Sequence, residues 1–413
     1  DAWSVTLFMN DLIESYFSRK IGKEPEWEEI EARYHDFVRW EQAHLEGETG
    51  DRMLEYWKDH LADAPLILDL PTDRPRPPVQ TFNGAAYGFK LDEGLTKRVI
   101  ELSQQQNATL FTTLLSGFEI LLHRYCNQED LLVGVPLAGR NQQELHDMIG
   151  YFINPVAVRS QVEDDPKFSE YVSRNSASVL GALENQHYPL AKLVDQLKVP
   201  RDPSRSPIFQ VSFSMEKIPG LDGGDAAVFM IGQGGHKIHV GDMSVETVDL
   251  TLRQAQFEIT LVVEEADGIL YGCWQYNSDL FDESTIAYLN KLYAQVLSQI
   301  TANPDLHISE INLLSEEDEK RIVDDWNDTS SPYPEESLLH ELVADAVTQT
   351  PDKIAIRCGG DTLTYNQLDR KADGLAQKLA DVGVGPEVRC LLRADGSGVS
   401  GLSTRTDAAG CKA

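Results

Sequence analysis

At 413 residues, with 41% apolar and 8% aromatic side chains, the chain has enough material for two domains of ordinary size. Cores of this extent need neither metals nor disulfides. Its 36 Lys and Arg face 67 Asp and Glu, a formal net charge of -31, which repels phosphate backbones and anionic lipid and argues against nucleic acid and membrane as partners.

Asp1 to Ser4 lead directly into an amphipathic helix, on which Val5, Phe8, Leu12 and Tyr16 fall at helical spacing and Met9 and Ile13 widen the stripe. A chain that opens in this way, without Met, is expected to be a piece of a longer one. Residues 24–63 are polar and helical, with Trp27, Tyr34, Phe37, Trp40, Tyr56 and Trp57 as apolar anchors. The Pro-rich stretch LPTDRPRPPVQTFNG (70–84) reads as a long surface crossing, and AAYGFKL after it as a short strand. Two helices are expected next, the stronger from Thr109 to Tyr125 with Leu110, Leu114, Phe118, Leu121 and Leu122 as its buried stripe.

Residues 130–140 and 151–160 read as strands. Ile208, Val211 and Phe213 alternate with polar neighbours in 204–215. Residues 257–277 hold two strands joined at Asp267-Gly268, a strong hairpin signal. A last long helix carries Ile286, Leu289, Leu292, Tyr293, Val296, Leu297 and Ile300. A composition break follows near 301–335. From Ser337 a helix, a short strand pair and a second helix are expected, the latter with Leu368, Ala372, Leu375, Ala376 and Leu379 inward. Strands interspersed irregularly with long helices make a mixed α/β domain of the α+β type, not a doubly wound sheet.

Residue chemistry alone names no reaction. HExxH, GxSxG and P-loop motifs are absent from the sequence, and Gly-Gln-Gly-Gly at 232–235 lacks the Lys-Ser/Thr of a phosphate loop. Cys126, Cys273, Cys358, Cys390 and Cys411 form no CxxC pair, and His236 and His239 lack further ligands, so no metal is expected. The odd cysteine count suits a reducing cytosol, no run reaches the roughly 18 apolar residues of a membrane span, and a cytoplasmic location is expected. His123 reads as a packing residue and His187 as a helix-start residue, while Asp1 and Arg140 taken singly read as solvated surface.

Several stretches, in order, resemble motifs of the nonribosomal peptide synthetase condensation family. They are RYHDFVRWEQAHL with YWKDHLADAPLILDLPTDRPRP, VGVPLAGR (133–140), MIGYFINPVAVR (148–159), HYPLAKLVDQL (187–197), RDPSRSPIFQVSFSM (201–215) and QFEITLVVEEADGILYGCWQYNSDLFDESTI (256–286). Together they cover about residues 1–300. The resemblance implies a chloramphenicol acetyltransferase-like fold, present mostly as its C-terminal lobe. It implies carrier domains bearing phosphopantetheine thioesters as partners, and amide formation between a tethered donor and a tethered acceptor amine. Asp1-Ala2 is similar to the DG of the family motif HHxxxDG, with Ala for Gly, which places both motif histidines before Asp1. No catalytic residue is therefore assigned within these 413 residues, and the piece is expected to be inactive alone. By the same resemblance Asp1 pairs with Arg140 to hold the motif loop, and Asn154 and Gln210 line the substrate tunnel.

From Leu338 onward the chain is similar to the opening of an amino-acid adenylation domain, with Gln367 where Glu is usual in the LTYxEL-type motif of 363–387. The parent would use ATP and Mg there, through residues that come later in that family. The expected organisation is a condensation domain lacking its N-terminal part (1–310), a linker (311–336), the start of an adenylation domain (337–390) acting as neighbour in cis, and an atypical tail (391–413) of frameshifted character. A non-catalytic carrier-docking module, or a cyclization or epimerization relative, are the alternatives.

Overall fold

A computed structural model describes residues 2–27, 30, 32–215, 237–240, 243–246, 248, 254–332 and 337–385. The chain divides into two compact units, residues 1–320 and 321–413.

The first unit opens with three helices, α1 (Ala2–Lys20), α2 (Tyr34–Leu45) and α3 (Glu48–His60). A coil crossing then leads to β1 (Gly84–Lys90), α4 (Glu93–Gln105), α5 (Leu110–Cys126), β2 (Asp130–Leu137) and β3 (Asn154–Gln161). There follow α6 (Phe168–Glu184), α7 (Leu190–Gln196), β4 (Val211–Met215), the short hairpin β5 (Lys237–Val240) with β6 (Met243–Glu246), then β7 (Ile259–Ala266), β8 (Ile269–Asn277), α8 (Glu283–Ala302) and α9 (Glu316–Lys320).

Six strands form one mixed sheet in the order β1-β8-β7-β4-β2-β3. The centre is parallel, β2 beside β4 beside β7, and the outer pairs are antiparallel. The β7–β8 hairpin turns at Asp267 and Gly268, with φ of 53° and 73°. That double left-handed step is what a two-residue turn needs to match strand twist. Thr109 caps α5 by accepting from the Thr112 amide at 3.0 Å, and Asp92 caps α4 by accepting from Leu95 at 2.9 Å. In the main core cluster Phe118 of α5 meets Phe213 of β4 and Trp274 of β8, and Trp274 meets Tyr293 of α8 edge-on, while Phe37, Leu145, Met148 and Phe152 form a second, smaller cluster. All seven inward residues expected on α8 are buried.

Partly buried ion pairs tie the ends. Arg76 in the crossing grips Glu258 with two bonds of 2.6 and 2.8 Å, pinning the crossing beside β7. Arg159 of β3 grips Asp130 of β2 and donates to the carbonyls of His60 and Ala62 at the end of α3.

Four expectations are corrected. The α1 stripe of Val5, Phe8, Met9, Leu12 and Tyr16 is exposed, because α1 meets the described residues through Trp3, Ser4 and Thr6 instead. Trp27, expected as an anchor, is exposed. The strand expected over 204–215 is only β4, since Ile208 has φ +68 and breaks the extended run while staying buried. The fourth concerns the second unit. It contains α10 (Leu339–Gln349), the hairpin β9 (Ile354–Cys358) with β10 (Asp361–Thr364), and α11 (Tyr365–Asp381). Neither helix has a buried residue, so the inward set expected on α11 encloses no core. About 60 described residues are too few to bury much surface. At its N-terminus α11 carries a reciprocal cap. Thr364 accepts from the Gln367 amide, and the Gln367 side chain accepts from the Thr364 amide at 3.0 Å. Gln serves this role as Glu does. The GQGG turn, His236 and residues 391–413 lie outside the described residues, as does the side chain of His239.

Candidate functional site

The loop after β2 turns at Gly139, whose φ is +67 and whose position would put a Cβ 2.0 Å from the Phe152 carbonyl oxygen. Only glycine fits there. The next residue, Arg140, is buried, at 5% exposure. Its guanidinium donates to the carbonyls of Leu145, Met148 and Gly150, and to the Ser4 hydroxyl of α1 at 2.9 Å. It also lies over the Phe152 ring at 4.2 Å and the Trp3 ring at 5.7 Å. Burial pushes its pKa down from the ordinary arginine value, and a guanidinium stays charged in proteins. Ser4 closes the knot, donating to the Gly150 carbonyl at 2.9 Å and accepting from its amide at 3.1 Å, while the Trp3 indole donates to the His146 carbonyl at 2.8 Å. The first turn of α1 is thereby fastened to residues 139–150. Arg140 is thus a buried clamp, in contrast to the solvated reading of the residue taken singly. Asp1, its expected partner, lies outside the described residues.

Beside this clamp is a cavity of about 690 Å³. It sits at the C-terminal ends of the parallel strands β2 and β4, between the start of α5, the inner side of α6 and the first turn of α1, with Trp3 in its wall. Open α/β sheets place ligands in this position, outside the carboxyl ends of their strands. Its walls include Phe111, Val135, Val158, Val179, Leu183 and Met215, and among the described residues no Asp, Glu, His, Cys, Lys or Arg lines it. These walls can receive apolar groups of a substrate. They supply no acid or base.

Neither Asn154 nor Gln210, expected to line the tunnel, is in this wall. The Asn154 amide donates to the carbonyls of Gln186 and Tyr188 at 2.7 and 2.9 Å and accepts from the Leu190 amide at 3.1 Å, fixing the entry to α7. The Gln210 side chain accepts from Leu68 at 2.7 Å and donates to Leu66 and Ser206, fastening the crossing to β4. Both side chains engage backbone. His187 precedes α7, lies near Asn141 at 3.2 Å, and meets the Trp40 ring edge-on. Burial first, and then His44, depress its pKa. His123 bonds the Gln128 carbonyl at 2.8 Å, as a satisfied packing residue does.

Two features escaped the sequence reading. Helix α6 was not expected, although Phe168, Val172, Val179 and Ala182 sit at helical spacing and are buried. It supplies a whole wall of the cavity. Glu119, in the middle of α5, is fully buried and accepts from Tyr171 at 2.8 Å and Asn175 at 2.5 Å. Burial is the leading cause that pushes its pKa up to about 8. A lone Glu within an apolar helix was the available signal.

A mixed sheet backed by α5 and α8, with a cavity at the switch between its parallel strands, defines the chloramphenicol acetyltransferase-like class. Residues 1–323 match the condensation domain family, and the chain belongs to it as a condensation domain of nonribosomal peptide synthetases. It is 34% identical over 389 residues to gramicidin S synthase 2 of Brevibacillus brevis, an alignment covering 94% of this chain and 8% of that synthase. Surfactin synthase subunit 1 of Bacillus subtilis is 33% identical over 93% of this chain and 10% of its own length. The chain thus spans a small part of these relatives. Among solved structures, a four-domain nonribosomal peptide synthetase, holo-AB3403 bound to AMP and glycine, aligns with a TM-score of 0.80 at 24% identity, over 94% of this chain and 29% of that one. The X-domain from teicoplanin biosynthesis, in complex with OxyB, aligns with a TM-score of 0.64 at 26% identity, over 76% and 68%.

Proposed function

We propose that in its parent synthetase this domain joins a carrier-tethered aminoacyl or peptidyl thioester donor to a carrier-tethered aminoacyl acceptor. The acceptor amine attacks the donor carbonyl, a C–N bond forms, the C–S bond breaks, and the donor arm departs as its thiol with the proton lost by the amine. The observation that carries this reading is the clamp. Arg140 and Ser4 fix the first turn of α1 with Trp3 in the cavity wall, and in the family the motif histidine precedes that turn by a few residues. A base there stands at the edge of the cavity, within reach of an amine delivered to it, and holding two tethered partners together supplies much of the rate.

The 413 residues contain no His-His pair, so this chain alone is proposed to be inactive. Its partners are phosphopantetheinylated carrier domains, and residues 337–390 are proposed to open an adenylation domain whose ATP and Mg chemistry lies in later sequence. No helix among the described residues is long and apolar enough to cross a membrane, and a cytoplasmic setting is proposed. A second reading, a module that docks partners without chemistry, is favoured by one neighbour, the X-domain found in complex with OxyB.

The test is to recover the coding sequence before Asp1, express the extended domain and the 413-residue chain, and assay amide formation with loaded donor and acceptor carriers. Product from the extended domain only is expected. An extended domain that carries HHxxxD yet forms no amide, or a 413-residue chain of equal rate, overturns the proposal. Lost histidines select the docking reading.

A further inference from the structure

The cavity beside the clamp has a chemical character of its own. At about 690 Å³ it falls in the range that encloses a whole small ligand, larger than one methyl or hydroxyl needs. Six of its lining residues are polar and uncharged, Thr6, Asn107, Thr109, Thr112, Ser176 and Ser214, and three of them bond within the protein. Thr109 caps α5 through the Thr112 amide and contacts the Thr112 hydroxyl at 2.9 Å. The Ser176 hydroxyl donates to the Val172 carbonyl of its own helix at 2.8 Å. Most of the remaining wall is apolar, including Phe111, Val135, Val158, Val179, Leu183 and Met215, with no ionisable side chain among the described lining residues.

Two physical consequences follow for any guest. An apolar group gains from leaving water in proportion to the area it buries. A carboxylate or ammonium loses its hydration and meets no counter-charge among the described lining residues, a penalty that hydroxyls and one amide offset only in part.

Resting on the reading that this cavity holds part of a tethered substrate, we infer that it selects an uncharged, apolar acyl or aminoacyl side chain and rejects carboxylate- and ammonium-bearing ones. Leu183 is a specificity residue at its rim, lining the cavity while partly exposed, so it can be changed without opening the core.

The test uses the 413-residue chain and two probes of similar size, the N-acetylcysteamine thioesters of 4-methylpentanoate and of succinate, titrated by calorimetry. The wild-type chain is expected to bind the branched aliphatic thioester at least tenfold tighter. In Leu183→Lys, checked to melt as the wild type does, the preference should fall at least tenfold as a cation enters the wall. Equal wild-type affinities overturn the selectivity while leaving the cavity as a binding site. No binding of either probe overturns the placement of substrate in this cavity and the inference with it. An aliphatic preference unmoved by Leu183→Lys puts the binding elsewhere and overturns the inference as well.

Discussion

Arg140, in the loop after β2, donates to the hydroxyl of Ser4 in the first turn of α1 at 2.9 Å, across 136 residues of sequence. The same guanidinium satisfies the carbonyls of Leu145, Met148 and Gly150. Hydrogen bonds to a charged donor contribute about 1.5–3 kcal/mol each, and loss of several is offset in part by the desolvation that Arg140 no longer suffers. Arg140→Ala should therefore cost about 2–4 kcal/mol. Arg140→Lys should recover little, because an ammonium lacks the planar fork that reaches the carbonyls and the hydroxyl together. Urea unfolding of both variants checks this. A lysine variant as stable as wild type would show that charge alone, and not the fork, fastens α1.

Glu119 makes stability depend on pH in a direction opposite to that of a salt-bridged carboxylate. Its pKa stands near 8 in the folded state, raised chiefly by burial, against 4.5 for an ordinary glutamate. Below pH 4.5 both states are protonated and the packing contribution is whole. As the pH rises to about 8 the unfolded chain ionises while the folded one does not, and stability drains by an amount on the order of 4 kcal/mol. Glu119→Gln keeps an acceptor for Tyr171 and Asn175 and cannot ionise. Its melting temperature should exceed that of the wild type increasingly from about pH 5 to about pH 8. Parallel melting curves over that interval would place the carboxylate, ionised, in contact with water.

How much could be read from sequence depended on whether a residue's neighbours lie along the chain or across it. The β7–β8 hairpin was legible because Asp267-Gly268 supplies both left-handed residues itself, and α8 because its seven apolar positions repeat along one face. Helix α1 was legible as a helix, but its apolar stripe gave no account of what covers it, and in the described residues the stripe is exposed. The cavity was not legible at all. Trp3, Phe111, Val135, Val179 and Met215 come from five separate elements, and only the sheet order brings them together. Asn154 and Gln210 were singled out by motif, yet a motif cannot distinguish an amide facing a ligand from one facing a carbonyl, and both face backbone.

The role of Asn154 can be separated from substrate contact by comparing two variants. Asn154→Ala leaves two carbonyls and the Leu190 amide without their partner and should cost about 2 kcal/mol. Asn154→Asp places carboxylate oxygens against the carbonyls of Gln186 and Tyr188 and should cost more, by about 1–3 kcal/mol further. The order, with the aspartate variant below the alanine one, is the signature of an amide engaged by backbone. Chemical denaturation decides it. Unchanged stability in both variants would return Asn154 to the role of a ligand contact.

The cysteines offer a probe of how tightly the crossing lies on the core. Burial is the leading cause that pushes the Cys126 thiol up to about 12, with Asp69 in the crossing and Glu258 adding to it. Burial pushes the Cys273 thiol up to about 11. Only the thiolate attacks an alkylating agent, so at about pH 8 these two present on the order of one reactive sulfur in a thousand or fewer. Cys358, in the second unit, is exposed. Iodoacetamide labelling of the native chain, followed by peptide mapping, should modify the Cys358 peptide while sparing those of Cys126 and Cys273, and denaturant should release both together. Cys126 reacting in the native chain at the rate of Cys358, with Cys273 still protected, would mean that the crossing lifts away from α5 without unfolding the sheet. Arg76→Ala should produce that pattern, since the Arg76 bonds to Glu258 hold the crossing beside the same patch.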